Sequence, residues 1–172
     1  FGKMGHSERY SRDAFKNIDG NKNQNLIFHV QNKSVTADVV ESVIPQNFRG
    51  KEELVLFYAT LNGVYFPKGA KINTEPFQEL EDEEYYELEI EFIYSIEHLT
   101  KMWRAVKEGS DDAKIFAETH VPFARDAAGN EFFIEISSGL IKYVSWEYGL
   151  EEGVISVAHS FRDFCLHIEP LN

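Results

Sequence analysis

Residues Tyr86 to Tyr94, YELEIEFIY, place an apolar or aromatic side chain at Tyr86, Leu88, Ile90, Phe92 and Tyr94, with Glu87, Glu89 and Glu91 among them. Alternation of opposite chemistries with a period of two marks a strand that is wet on one face and buried on the other. A chain containing it must therefore build a sheet and cover one side of that sheet. The flanking sequence offers both strands and covering helices.

Upstream, Ala14 to Ile18 and Leu26 to Val30 flank the polar tract DGNKNQN and read as a hairpin in an N-terminal extension, residues 1–34. From Thr36 the apolar period becomes helical: Val39, Val40, Val43 and Ile44 share a face up to Pro45, which stops the helix. A second helix is expected from Lys51 to Leu61, with Asn62-Gly63 as its left-handed stop and a short strand, Val64 to Phe66, ending at Pro67. Lys68 to Glu84 reads as a loop. Ser95 caps a helix whose stripe is Ile96, Leu99, Trp103 and Val106, ended by Gly109. Strands are expected near Ile115 to Ala124, Glu131 to Ile136, Leu140 to Trp146 and Val154 to Val157. A last helix follows, with Ser160 and Asp163 at capping-box spacing and Phe161, Phe164, Cys165 and Ile168 on one face. Strands joined by short turns, without a repeating strand–helix–strand order, give the α+β class: a mainly antiparallel twisted sheet with helices against one side.

With 172 residues the chain is expected to form one domain, residues 1–172, and needs no covalent staple. The single Cys165 excludes an intrachain disulfide and suits a reducing, cytoplasmic compartment. No apolar run approaches the roughly 20 residues that span a bilayer, and FGKMGHSERYSR lacks the apolar middle of a secretory signal. The opening on Phe1 reads as an upstream segment removed or left out. A net charge of −12 repels phosphate backbones and anionic membranes and attracts basic partners, so neither direct nucleic-acid binding nor membrane binding is expected. Solubility alone would also explain such a surface.

Motifs that carry chemistry are few. Asp19, Asn21 and Asn23 have the first spacings of a calcium loop, but Gln24 replaces the turning glycine and Val30 the closing acid. The six histidines show no zinc-ligand spacing, and Cys165 has no second cysteine, so no metal or cofactor is expected. Cys165 falls on an apolar stripe, where a thiol is inert. Glu87, Glu89 and Glu91 point to water and lack the desolvation a general acid needs. In VPFARDAAGNEFFIEI, Asp126 and Asn130 are turn formers, Gly129 tolerates positive φ and both flanks are strands, which makes DAAGN a hairpin turn.

Residues 35–168 resemble the SUKH superfamily, which includes bacterial immunity proteins and related fungal regulators of cell-wall synthesis. The likeness rests on Phe123, Asp126, Gly129, Asn130, Phe132, Gly139, the pair Trp146-Glu147, and Ser160, Phe161 and Phe164. Upstream it adds Ile44-Pro45, Phe48 and Asn62-Gly63 followed by Val64-Tyr65-Phe66. Residues 1–34 lie outside it. The Trp146 strand ends Trp-Glu-Tyr where the family usually has a histidine, and Val64 replaces a second glycine. The resemblance implies a non-enzymatic α+β domain that binds and neutralises a cognate toxin, such as a basic nuclease-type domain. A regulatory interaction domain of the same fold is the alternative, and a hydrolase using dispersed carboxylates is a third reading. The contact expected is the acidic stretch Glu79, Glu81, Asp82, Glu83 and Glu84 with Tyr85, charges steering the encounter and the aromatic anchoring it. A solvated loop without a partner would read the same.

Overall fold

The computed structural model describes residues 26–75, 77 and 86–171. Eight strands form one open sheet, and every pairing is antiparallel. In chain order the strands are β1 (His29–Asn32), β2 (Asn62–Asn73), β3 (Glu87–Ile93), β4 (His120–Arg125), β5 (Glu131–Glu135), β6 (Ile141–Val144), β7 (Val154–Ala158) and β8 (Ile168–Pro170). The first seven lie side by side in sequence order, while β8 returns to pair with β2. Among the described residues six helices pack on this sheet: α1 (Ala37–Val43), α2 (Lys51–Thr60), α3 (Ile96–Lys107), α4 (Asp111–Thr119), α5 (Gly149–Glu152) and α6 (Phe161–Leu166).

Local chemistry sets the helix ends. Thr36, Ser95, Ser110 and Ser160 each accept a hydrogen bond from the backbone N–H three residues on, relieving one of the donors that a helix start leaves unpaired. The helix before Pro45 ends at Val43, as the proline requires, and buries Val40. Leu54, Phe57 and Tyr58 of α2 are buried, and the ring of Phe57 meets Phe161 of α6 edge-on at 5.0 Å. Phe164 lies edge-on to Phe123 and Phe132, which fastens α6 to the middle of the sheet.

Several expectations give way. Pro67 does not end a strand: β2 continues to Asn73 through an irregularity in which five steps from Tyr65 to Ala70 face two from Phe92 to Ile90 on β3. The proline's missing N–H falls where the ladder is already broken, so little is lost. Residues 68–73, read as loop, are strand. β3 also slips phase at Glu91, so Leu88, Ile90 and Ile93 are buried, while Phe92 pairs with Tyr65 on the half-exposed face. The strand expected from Ile115 begins only at His120, because residues 111–119 are helix, capped by Ser110, with Asp111 and Asp112 in the first turn and Ala113 and Ala117 on the buried side. Gly63 is not a helix stop. It stands inside β2 at φ +88°, and a Cβ there would lie 2.6 Å from the Ser95 nitrogen, so only glycine lets β2 approach the start of α3.

The helices are not confined to one side. On β5, Phe132 and Ile134 enter the main core with α2 and α6, while Phe133 points the other way into a smaller core with Ala113 and Ala117 of α4, Val144 and Val106. The upstream strand Ala14 to Ile18 and the DGNKNQN tract lie outside the described residues, and β1 begins at His29 rather than Leu26.

Candidate functional site

The DAAGN segment joins β4 to β5 as a hairpin turn. Asp126 N–H donates to the Asn130 carbonyl at 2.9 Å, and Gly129 takes φ +90°. The Asp126 carboxylate is consumed locally. Its Oδ1 accepts from the backbone of Ala128 and Asn130, and its Oδ2 accepts from Asn130 Nδ2 at 3.1 Å and from the Tyr143 hydroxyl at 2.8 Å. Asn130 Oδ1 in turn accepts from Trp146 N–H at 3.0 Å. Asp126, Gly129, Asn130 and Trp146 thus form one brace between two turns. Their polar atoms are spent on the backbone.

One residue further on, a carboxylate goes into the interior. Cross-strand pairing sets Tyr65, Phe92, Arg125, Glu131, Val144 and Val154 side by side across six strands, and paired residues share a face. Glu131 is buried; its Oε2 accepts from the Tyr94 hydroxyl at 2.7 Å and its Oε1 from Trp146 Nε1 at 3.1 Å. Burial pushes its pKa up, against the opposing pull of those two donors and of Arg125. The same burial, with the carboxylate beside it, drives the Tyr94 phenol upward. Arg125 donates to Glu91 Oε1 at 3.4 Å and lies over the Phe92 ring at 5.1 Å, while its buried Nε has no partner among the described residues. With each oxygen of Glu131 accepting one internal hydrogen bond, the group ties β5 to the residue before the α3 cap and to the β6–α5 connection.

A second buried polar group sits on the same side of the sheet. His120 pairs with Glu135 across β4 and β5, and its ring stacks on Phe116 at 3.8 Å, 6° from parallel. Its Nδ1 is 3.0 Å from the Phe116 carbonyl and its Nε2 3.0 Å from Lys142 Nζ. An ammonium only donates, so Nε2 accepts and Nδ1 carries the hydrogen. Burial, then the Lys142 charge, lowers the imidazole pKa to about 4, against the Phe116 carbonyl and Glu135, which favour the proton. Lys142 is itself paired to Glu135 at 3.3 Å, and Glu135 is held below its ordinary range chiefly by the Ser138 hydroxyl.

A cleft of about 330 Å³ opens beside α2 and α6, lined by Arg49, Glu53, Ser138, His159, Ser160 and Phe161. Glu53 Oε1 accepts from the Arg162 N–H at 3.1 Å, so a carboxylate of the chain already fills the anion position at the start of α6. Ser160 and Asp163 form the capping pair: Ser160 Oγ accepts from Asp163 N–H, and Asp163 Oδ2 from His159 N–H. Phe161 and Phe164 are core residues, and Cys165 is fully buried with its thiol pKa pushed up by burial. Among the described residues no three His, Cys, Asp or Glu side chains are grouped to hold a metal ion, and no helix is long and apolar enough to cross a membrane.

The expected contact residues Glu79, Glu81, Asp82, Glu83, Glu84 and Tyr85 lie outside the described residues. The residues on either side of that stretch are placed. Phe77 packs on the His159 ring at 4.3 Å, at the edge of the cleft, and Thr74 N–H donates to the Tyr86 carbonyl at 2.8 Å. Glu87 and Glu89 are exposed on β3, as their alternation predicts. Beyond Trp146, Tyr148 is 56% exposed, with Glu147 beside it in sequence and Glu151 and Glu152 exposed in α5. That acidic, aromatic turn and the buried Glu131 and His120 groups escaped the sequence reading. The available signal was an acid at each end of the otherwise apolar strand EFFIE. Compared with known proteins, the chain matches no protein family, no curated protein and no solved structure.

Proposed function

We propose that this chain acts by binding a basic protein, and that it is a non-enzymatic immunity protein neutralising a cognate toxin such as a basic nuclease-type domain. The observation that carries the reading is outward acidic chemistry with an exposed aromatic in it: exposed Glu87 and Glu89 on β3 and, separately, Tyr148 with Glu147, Glu151 and Glu152 at α5, in a chain of net charge −12. Carboxylates of this kind steer a cationic partner, and exposed aromatics supply anchors on arrival. The SUKH-like pattern of turns and aromatics points the same way. The inward chemistry agrees with it, because Asp126, Glu131 and Asp163 are engaged in holding the fold.

The test is co-expression of the chain with the product of the adjacent gene, scored for rescue of growth and for co-purification. Rescue with a complex that survives purification is the expected result, and neither rescue nor complex refutes the reading. Association with a basic partner should slow steeply as salt rises from low to physiological strength. A salt-independent on-rate would remove the steering role.

A further inference from the structure

We infer that the groove over Trp103 seats a cationic side chain, arginine above all, of the basic protein partner. The inference rests on the proposed function and adds to it a place and a chemistry. A groove of about 450 Å³ lies between α3, α4, the segment after α1 and the turn after β5, with Trp103, Pro45, Ala117 and Ile136 in its walls and Lys107 and Glu118 at its rim. The indole is fixed in place, because its Nε1 donates to the Ala117 carbonyl at 2.9 Å and so ties α3 to α4. One face of the ring already holds a cation: Lys107 Nζ lies 3.7 Å from its centroid.

That contact shows what the ring face suits. Lys107 is exposed, stands one turn along the same helix, and holds the ring through a flexible stem. At such a site the attraction amounts to only about two- to fivefold in an equilibrium constant. A guanidinium is more weakly hydrated than an ammonium and stacks flat on an indole, so it competes well for the same face. The Glu118 carboxylate at the rim provides the planar acceptor that guanidinium forks prefer. The net charge of −12 concentrates cations around the molecule, and a preordered tryptophan wall is the kind of feature on which interface energy concentrates. Lys107 is thus a placeholder that the partner's residue displaces.

The chain contains two tryptophans, so its indole N–H resonances are few and Trp103→Phe identifies the one that matters. The intact chain is titrated with a blocked hexa-arginine peptide and with its neutral hexa-citrulline counterpart. The Trp103 resonance should move with the first and not with the second. Lys107→Ala should tighten hexa-arginine binding about two- to fivefold more than Lys114→Ala, which removes the same charge from the neighbouring helix. Equal effects of the two substitutions overturn the placeholder role and with it the inference. Binding that leaves the Trp103 resonance unmoved overturns the site while the basic-partner reading stands. No binding of hexa-arginine overturns the site too, and the co-purification experiment decides the partner reading separately.

Discussion

The His120 group makes the sharpest demand on solution behaviour. In the unfolded chain its imidazole has an ordinary pKa of 6.5, whereas in the fold it lies at about 4, so the folded protein favours the neutral ring. Stability from this group is complete above about pH 6.5 and is lost as pH falls toward 4, because the unfolded state takes up the proton first. Between about pH 7.5 and pH 5 the unfolded ring gains its proton and the folded one does not; the window reaches about 1.5 pH units below 6.5, which at about 1.36 kcal/mol per unit gives about 2 kcal/mol. Glu135, 3.6 Å from Nε2, favours the charged ring, but burial and Lys142 outweigh it. Urea unfolding of the wild type and of His120→Gln across that window isolates this contribution. The variant loses the Phe116 stack and starts lower, but its stability should fall by about 2 kcal/mol less over the same interval. Groups common to both proteins, the raised Glu131 and the lowered His98 among them, cancel in the difference. Parallel pH profiles for the two proteins would refute the assignment of a buried neutral ring.

Glu131 has the opposite sign: its pKa is raised, so its stability contribution is present below the unfolded carboxylate value and is lost as pH rises through the folded one. Glu131→Gln should therefore gain on the wild type as pH is raised from acid to neutral, as read by the same urea curves. Tyr58 is fully buried and its hydroxyl has no partner among the described residues, so Tyr58→Phe should leave the protein as stable or raise it by about 1 kcal/mol in chemical denaturation. Gly63→Ala should cost several times more than Gly129→Ala. Both sites have positive φ, but a Cβ at Gly63 strikes the Ser95 backbone and one at Gly129 meets nothing within 4 Å, a contrast that melting temperatures would display.

Where one stretch of chain decides its own state, the sequence was readable. The helices at Ala37–Val43, Lys51–Thr60 and Ile96–Lys107, the Asp126 turn and the Ser160 cap each rest on contacts within a few residues, and each was expected. α4 misled because its apolar pair is Ile115-Phe116: Ile115 is 64% exposed, while the buried positions are the weakly hydrophobic Ala113 and Ala117. The Ser110-Asp111-Asp112 start was the better signal. The phase slip at Glu91 and the continuation of β2 past Pro67 depend on which strands lie alongside, and no local period encodes that. The buried carboxylate, the neutral histidine and the Trp103 groove each assemble residues from separate elements, so they become visible only once the fold is known.

β2 is long enough to host two different neighbours on one edge, β1 against Asn62 to Tyr65 and β8 against Ala70 to Ile72, with the irregular stretch between them. The earliest and the latest strands of the described chain are thereby clasped end to end on a single rail. Only the β8 half spans most of the described chain, from Ile72 to Ile168, and so carries the larger loop-closure cost, whereas β1 reaches the rail across the short span from Asn32 to Asn62. The clasp also makes the rail a shared dependency: loosening β2 frees both ends of the described chain together, and amide exchange along β1 and β8 should rise and fall as one.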